Sequence, residues 1–360
     1  MNEREYLAAL YSYTYFGPKR VKLLMKYFGS AKSSWNANSD ELVNVGLKEA
    51  VVKNLNIYKD KFDFRDYFQK LERLGVWYLT INDKQYPRNL MDLEDAPLVL
   101  YVKGRIKAQD SNAIAIVGSR KMTSYGKEIA SKFSSELATL GITIISGLAF
   151  GVDAMAHKAC LDVGGRTIAV IPSGIDIMTP ASNFYLVKAI LQGNGAIVTE
   201  YPLGHPPLRT NFAARNRIIS GLSKAVVVIE GQKKSGTLLT ASSAASQGRT
   251  VFAVPGQIAS PMSEAPNYLI QNGAKLITNV NDILSELDLQ LKVDKEEMDK
   301  VMPSDKNEEK LINVLSNEPL HLDELARISG LKVEEISARL TVMELKGMVK
   351  NIGNGVYKKV

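Results

Sequence analysis

Continuous apolar runs, most of them followed by a turn with glycine and hydroxyl or basic residues, recur through the middle of the chain. Because these runs do not alternate with polar residues, they are typical of strands buried on both faces of a parallel sheet. Segments with helical spacing separate them, and this alternation indicates a doubly wound, mostly parallel α/β sheet of the extended Rossmann-like type. The predicted strands are 113–117, 143–145, 167–171, 196–200, 225–229 and 250–254.

A connector precedes these runs and carries a further short strand within residues 96–102. Pro97 lies near its start, and a proline beside a strand indicates an edge position, where no neighbour needs the missing N–H. We therefore predict this strand at the edge of the sheet. The sheet domain as a whole is expected to occupy residues 85–287.

Both flanks of the sheet domain have patterns of their own. Residues 1–84 are mostly of helical spacing, broken at Gly17-Pro18 and Gly29-Ser30, which indicates a SAM-like or helix-hairpin-helix-like helical domain. Such a domain either contacts the DNA backbone or only packs on its neighbour, and the pattern leaves both open. Charged residues without aromatics predict a solvated linker over 288–309. Three helices and a glycine-turn hairpin predict a winged-helix domain over 310–360.

Composition and charge narrow the class of partner. The 360 residues carry a formal net charge of +7, which favours an acidic partner such as nucleic acid but also fits a basic enzyme. The single cysteine, Cys160, excludes an intramolecular disulfide and a thiolate metal cage within one chain. There is no run of about 18 apolar residues and the amino terminus is charged, so we expect a cytoplasmic protein without membrane insertion.

Glycine turns after strands also occur in nucleotide-dependent enzymes, but the motifs of those enzymes fit badly. The first turn, Gly118-Ser119-Arg120, lacks the three-glycine spacing of dinucleotide-binding proteins, and Ser146-Gly147 follows the second strand where an acid is required. In 231–237 the lysines precede the last glycine, whereas a P-loop has lysine after it. We therefore expect no cofactor.

Asp153, His157 and Cys160 lie at helical spacing, and their residue types suit metal binding or acid–base chemistry. The structural alternative is that Asp153 caps the helix while the other two side chains are buried. A lone thiol without a second group of ligands favours the structural interpretation. Because no nucleophile and base pair stands out elsewhere, we expect neither a metal site nor an enzyme.

The turns at the carboxyl ends of the strands favour a different chemistry. Backbone N–H groups at a turn entering a helix bind anions, and in a parallel sheet several such turns meet at one edge. Four basic residues lie in or beside these turns, where they either bind phosphates or pair with Glu200, Glu230 or Asp176. Two phenylalanines nearby either stack on bases or belong to the core. The predicted binding residues are Gly118, Ser119, Arg120, Ser146, Gly147, Phe150, Gly151, Phe212, Arg215, Asn216, Arg217, Lys234, Ser235, Gly236 and Thr237.

Together these motifs closely resemble those of the DNA-processing protein A (DprA, or Smf) family. The resemblance rests on 117–120, 146–153 with His157, 173–176, 200–202, 215–223, 234–237 and 251–256. It implies a non-enzymatic protein that binds single-stranded DNA on an extended Rossmann domain and dimerises through that domain. It also implies that the protein protects incoming DNA and loads the RecA recombinase in natural transformation, with a single-strand-binding protein as a further candidate partner. In that family the residues corresponding to Arg120 and Lys234 belong to the DNA pocket, and the segment corresponding to 215–217 lies nearby.

Two other functions stay open. One is a nucleotide hydrolase of the related lysine-decarboxylase-like (LOG) Rossmann group, although the paired carboxylate expected there is missing from the sequence. The other is a regulator that binds duplex DNA through the winged helix. Its third predicted helix, 333–346, carries three glutamates against one arginine and one lysine, a poor charge balance for a DNA groove.

Overall fold

A computed structural model describes residues 1–193, 195–233, 235–287, 306–315, 318–345, 348–353 and 355–359. The chain forms two compact units, Met1–Leu289 and Gln290–Val360. Most of the predicted linker, residues 288–305, lies outside the described residues, as does Lys234. A helix of the second unit begins at Lys306, so the last four residues of the range predicted as linker, 306–309, are helical.

A nine-stranded sheet forms the centre of the first unit. Its strands are β1 (Val76–Thr80), β2 (Val99–Gly104), β3 (Ile114–Val117), β4 (Ile144–Ser146), β5 (Thr167–Val170), β6 (Ala196–Thr199), β7 (Ala225–Val228), β8 (Thr250–Ala253) and β9 (Lys275–Leu276). The strand order is β1-β2-β6-β5-β4-β3-β7-β8-β9. The pairs β1–β2 and β2–β6 are antiparallel and the other pairs are parallel. The predicted fold class, a mostly parallel doubly wound sheet, is therefore confirmed.

Continuous burial explains the apolar runs. Every residue of β3 to β7 is buried, because helices cover both faces of the sheet. From β3 the chain winds outward through β4, β5 and β6, then returns to the other side of β3 to build β7, β8 and β9. The connections therefore diverge between β3 and β7, and a doubly wound sheet opens a crevice at this point, beyond the carboxyl ends of the strands.

Fourteen α-helices are described in the first unit, and local signals in the sequence account for many of their ends. Asn2 and Glu5 form a capping box at the first helix, and Gly29 ends the second in a left-handed conformation. The helices are α1 (Glu3–Tyr11), α2 (Pro18–Phe28), α3 (Ala31–Asn36), α4 (Ser39–Asn44), α5 (Glu49–Lys61), α6 (Phe64–Arg73), α7 (Arg88–Met91), α8 (Ser124–Thr139), α9 (Val152–Asp162), α10 (Phe184–Gln192), α11 (Arg209–Leu222), α12 (Gly236–Ser246), α13 (Glu264–Gln271) and α14 (Val280–Glu286). No helix among the described residues is long and apolar enough to cross a membrane.

The edge of the sheet differs from the prediction. Strand β2 was expected at the edge, but it pairs with β1 on one side and β6 on the other. Pro97 lies two residues before β2, so its missing N–H removes no bond from the ladder. The actual edge strand, β1, falls within the segment predicted as mostly helical. Gly75, with φ of +64°, ends the helical part of the chain and turns it into this strand.

The second unit has the predicted winged-helix arrangement. Its elements are α15 (Lys306–Leu315), β10 (Leu320–His321), α16 (Leu322–Ser329), α17 (Val333–Leu345), β11 (Val349–Asn351) and β12 (Val356–Lys359). The three strands pair in the order β10-β12-β11. Gly330 ends α16 in a left-handed conformation, and Leu311, Leu325, Ile336 and Leu340 form part of a core within this unit.

Candidate functional site

A cavity of about 910 Å³ opens at the carboxyl end of β3. Three segments bound it: the turn after β3, the amino-terminal half of α11, and the first turn of α12. This is the point at which the connections of the sheet diverge, so the fold itself places the opening there. We call this cavity the rim pocket.

Exposed cations surround the rim pocket. The guanidinium carbon of Arg120 lies 5.0 Å from the centroid of the Phe212 ring, a distance suited to a cation–π contact. Lys121 and Arg209, which the sequence analysis did not single out, line the same pocket and are also exposed. Within the described part of the chain, none of these three cations forms an ion pair. The signal for Arg209 was the proline-rich loop before it, which leads the first turn of α11 into the pocket.

Arg215 is a buried cation in the lining of the rim pocket. It is only 3% exposed, and its Nη1 donates a hydrogen bond to the backbone carbonyl of Val170. Gly147 makes room for it, because a Cβ at that position would overlap the guanidinium group. Burial lowers the pKa of Arg215 to about 10, while Asp153 acts in the opposite direction. Arg215 thus remains a cation near neutral pH.

The turn after β4 supports the pocket instead of presenting free N–H groups to it. The carboxylate of Asp153 accepts hydrogen bonds from the backbone N–H groups of Ala149 and Gly147. Burial raises the pKa of Asp153, whereas Arg215 and these N–H groups oppose that shift. The hydroxyl of Ser146 donates to the carbonyl of Ile116 over 2.7 Å and is buried. Two amides of this turn thus face the protein's own carboxylate, and the predicted phosphate-binding role of the turn stays a prediction.

Gly151 and Phe150 lie beside the pocket. Gly151, with φ of +74°, lets the turn after β4 pack against the carbonyl of Ser119, which a side chain would overlap. It is also the cap residue of α9, a role that we had considered for Asp153. Phe150 is 50% exposed but does not line the rim pocket, whereas Phe212 does.

The buried histidine and cysteine of α9 have structural partners. Nδ1 of His157 lies 2.7 Å from the hydroxyl of Thr167, and burial, together with Arg215, lowers the pKa of His157 to about 3. The thiol of Cys160 donates to the backbone carbonyl of Arg166, and burial raises its pKa to about 12. No group of three metal-ligating side chains occurs among the described residues.

Arg217 faces away from the rim pocket. It lies within helix α11 and not in a loop, and its Nη2 is 2.5 Å from Oε2 of Glu200. The same oxygen accepts a hydrogen bond of 2.9 Å from the hydroxyl of Tyr11, and Asp95 lies 3.4 Å from Nε. Pairing with Glu200 was one of the alternatives that the sequence left open. In this structure Arg217 connects α11 to the amino-terminal helices.

The amino termini of α8 and α12 differ in a way that locates the anion site. Glu230, which follows β7, places its carboxylate at the start of α8, where it accepts from the N–H of Thr123 over 2.9 Å and from its hydroxyl over 2.5 Å. A phosphate at this helix end would meet that carboxylate. At α12, by contrast, Ser235 makes no side-chain cap, and its hydroxyl has no partner among the described residues. The first turn of α12 lines the rim pocket and is open to an anion.

Comparison with known proteins identifies the family. The profile of the family described as DNA recombination-mediator protein A matches residues 77–288. The chain belongs to the DNA recombination-mediator protein A family. A profile described as the DprA winged helix domain matches residues 295–355, in agreement with the fold of the second unit. The resemblance inferred from the glycine turns is thus confirmed.

Individual members of the DNA recombination-mediator protein A family show how far the similarity extends. Protein Smf of Escherichia coli strain K12 is 42% identical over 298 residues, which are 80% of this chain and 79% of that protein. The X-ray structure of DprA from Streptococcus pneumoniae has a TM-score of 0.68 and 33% identity, covering 79% of this chain and 98% of that one. A Helicobacter pylori DprA structure, titled for its unique single-stranded DNA binding mode, has a TM-score of 0.53 and 32% identity, covering 58% and 95%.

This member of the DNA recombination-mediator protein A family brings most of the predicted residues to one place. Those that line the rim pocket are Gly118, Ser119, Arg120, Phe212, Arg215, Asn216, Ser235, Gly236 and Thr237. Ser146, Gly147 and Gly151 belong to the turn that supports it, and Arg217 lies on the far side of α11. Lys234 falls between two described segments, so its predicted role stays a prediction.

Proposed function

We propose that this chain is a recombination mediator that binds single-stranded DNA in the rim pocket. The observation that carries the proposal is the charge of the pocket: Arg120, Lys121 and Arg209 are exposed and unpaired within the described residues. The one carboxylate in the described lining, Asp153, is buried and already accepts backbone hydrogen bonds. An excess of unpaired cations suits a phosphate backbone.

Stacking supports an unpaired strand as the ligand. The ring of Phe212 is partly exposed in the pocket and lies against the guanidinium group of Arg120. Bases stack on such aromatic and guanidinium surfaces only when they are released from a duplex. The open first turn of α12 offers a place for a phosphate beside them. The Helicobacter pylori DprA structure, whose title describes single-stranded DNA binding, supports the same assignment by relationship.

We propose binding without catalysis. A hydrolase of the LOG type needs carboxylates that reach the substrate, and the buried Asp153 is held by amides beneath the pocket surface. Incubation with nucleoside monophosphates tests this point, and release of free base at a rate proportional to protein concentration would contradict it.

Fluorescence anisotropy with a labelled oligothymidine and a duplex of equal length tests the proposal. We expect tighter binding of the single strand and, for the double variant Arg120→Ala/Arg209→Ala, a loss of about tenfold or more, since two charge-assisted contacts disappear. The slope of log affinity against log salt should fall by about 1.4, the value for two phosphate contacts on a single strand. The matched control is Lys127→Ala/Lys132→Ala on α8, which removes two exposed charges outside the pocket. Equal losses in both double variants would show that general charge, not the rim pocket, binds the DNA.

Membership of the family supports a finer role as a proposal. We propose that the protein acts as a homodimer, protects incoming single strands and delivers them to RecA in natural transformation. The test is RecA-dependent ATP hydrolysis on DNA coated with single-strand-binding protein. The wild-type chain should shorten the lag before hydrolysis, while Arg120→Ala/Arg209→Ala should not. An unchanged lag with a DNA-binding wild-type protein would separate DNA binding from RecA loading and refute the latter.

A further inference from the structure

A second cavity, of about 490 Å³, lies on the same unit but shares no lining residue with the rim pocket. It lies beside the carboxyl end of α11 and the segment that precedes β3. Leu222 of α11 and Ile106, Ile145 and Ile168 give it an aliphatic floor. We call it the basal cavity.

The mouth of the basal cavity is cationic. Lys84, Arg88 and Lys107 line it, all three are exposed, and none forms an ion pair among the described residues. The acid in the described lining, Asp110, is 7% exposed, and its carboxylate lies 2.6 Å from Nη2 of Arg166. That acid is therefore neutralised internally, and the mouth keeps an excess of positive charge.

Two polar side chains in the lining, those of Asn89 and Tyr86, already have hydrogen-bond partners within the protein. The side-chain amide of Asn89 donates to the carbonyls of Ser111 and Leu222, over 2.8 and 3.4 Å. The hydroxyl of Tyr86 donates to the carbonyl of Pro97 over 2.6 Å and the ring is buried. An aliphatic floor suits an apolar side chain better than the polar edge of a base.

We propose that the basal cavity binds an acidic peptide segment of a partner protein, with a large apolar side chain in the floor and carboxylates at the mouth. Charge complementarity with Lys84, Arg88 and Lys107 selects the acidic residues, and the aliphatic floor selects the apolar one. Because the two cavities share no lining residue, we expect DNA and the peptide to be bound at the same time. The site would therefore recruit a partner to DNA that the protein already holds.

The probe is a fluorescein-labelled peptide of five aspartates followed by leucine and phenylalanine, titrated with the full chain at low salt. We expect saturable binding that Lys84→Ser/Arg88→Ser/Lys107→Ser weakens about tenfold, because exposed charge contacts each contribute modestly. The matched control, Lys53→Ser/Lys127→Ser/Lys132→Ser, removes three exposed charges elsewhere and should retain wild-type affinity. Equal affinity of the two triple variants would overturn the proposal.

The apolar contact has a test of its own. Ile106→Glu places a carboxylate at the cavity wall and should weaken the peptide at least as much as the triple variant, with its thermal unfolding checked alongside. A peptide ending in two glycines should bind at least about fivefold more weakly, since the buried apolar side chain is lost. Saturating oligothymidine should leave peptide binding unchanged. Displacement by oligothymidine, or equal binding of the glycine peptide, would mean an unspecific anion or nucleic-acid surface and would refute the assignment.

Discussion

Arg215 and Arg217 lie two positions apart on α11 and have different roles. Positions two apart on a helix point about 200° away from each other, so one guanidinium group enters the base of the rim pocket and the other faces Glu200. Arg215 adds charge where DNA is expected, while Arg217 holds structure together. Substituting either residue tests a different property of the protein, and only Arg215 bears directly on binding.

Gly147→Ala should destabilise the first unit by about 2 to 4 kcal/mol, because the new methyl group would displace the buried guanidinium group of Arg215. Urea unfolding measures the effect. Gly236→Ala is the matched control, since a Cβ there meets nothing within 4 Å and the residue has no positive φ. A wild-type unfolding free energy for Gly147→Ala would mean that the guanidinium group does not rest against this glycine.

The burial of His157 should make stability depend on pH. Its folded pKa of about 3 is below the ordinary value of 6.5, so its contribution is complete above about pH 6.5 and is lost as the pH falls toward 3. Between pH 7 and pH 4.5 the loss should be about 2 to 3 kcal/mol. His157→Asn should flatten this slope. Ile168→Val, a core substitution on the adjacent strand β5, should lower stability at every pH and keep the slope, and a steep slope in His157→Asn would assign the pH dependence to another group.

At the residue scale, the sequence predicted which side chains are candidates for binding better than it predicted the partners of those side chains. Arg120 was recognisable because it follows a glycine turn, and Phe212 because it follows the proline-rich loop; both line the pocket. The partner of Arg217 lies seventeen residues away on a different element, and no local spacing indicates which of three candidate acids it meets. The amides of the second turn were assigned to phosphate because their internal acceptor, Asp153, becomes visible only in three dimensions.

At the scale of elements, a buried polar connection fastens the amino-terminal helices to the sheet domain. Tyr11 of α1 and Arg217 of α11 meet on the carboxylate of Glu200, immediately after β6. On the surface, Lys19 of α2 pairs with Glu94 over 2.6 Å. The exposed pair contributes little, whereas the buried connection holds α1 in register with α11.

Removing parts of this connection should have graded effects. Tyr11→Phe should cost about 1 kcal/mol, the usual contribution of one hydrogen bond, whereas Glu200→Gln should cost about 3 kcal/mol because Arg217 loses its buried counter-charge. Chemical unfolding provides the measurement. Tyr13→Phe is the control, since Tyr13 is a buried residue whose hydroxyl forms no hydrogen bond within the described residues. If Glu200→Gln proves no worse than Tyr11→Phe, Asp95 must supply the counter-charge instead.

Element prediction succeeded where one physical signal dominated. The strands β3 to β8 follow from continuous apolar runs, and α8 and α12 from helical spacing with clear ends. Strand β1 was missed because only Leu74 and Gly75 separate it from α6, and because two of its five residues are only partly buried. The internal position of β2 could not be predicted from its own sequence, because it depends on β1 pairing with it at the edge of the sheet.

At the scale of the molecule, the rim pocket and the winged-helix core belong to different units. All residues that line the rim pocket belong to Met1–Leu289, and the winged-helix unit has a core of its own. A chain ending at residue 287 should therefore fold and should bind oligothymidine within about threefold of the full chain, since no pocket contact is removed. Anisotropy and calorimetry measure both properties. A loss above about tenfold would assign a large share of DNA contacts to the winged-helix unit.

The carboxylate of Glu230 at the amino terminus of α8 has a consequence for competition by small phosphorylated metabolites. Dinucleotides and nucleoside triphosphates are abundant metabolites. Proteins with a doubly wound sheet usually bind the pyrophosphate of such ligands at the amino terminus of the first helix, directly after the first strand. Here a fixed negative charge already fills that position. A pyrophosphate would be repelled from this helix end, so small phosphorylated metabolites should compete little for the adjacent rim pocket, where we propose that DNA binds.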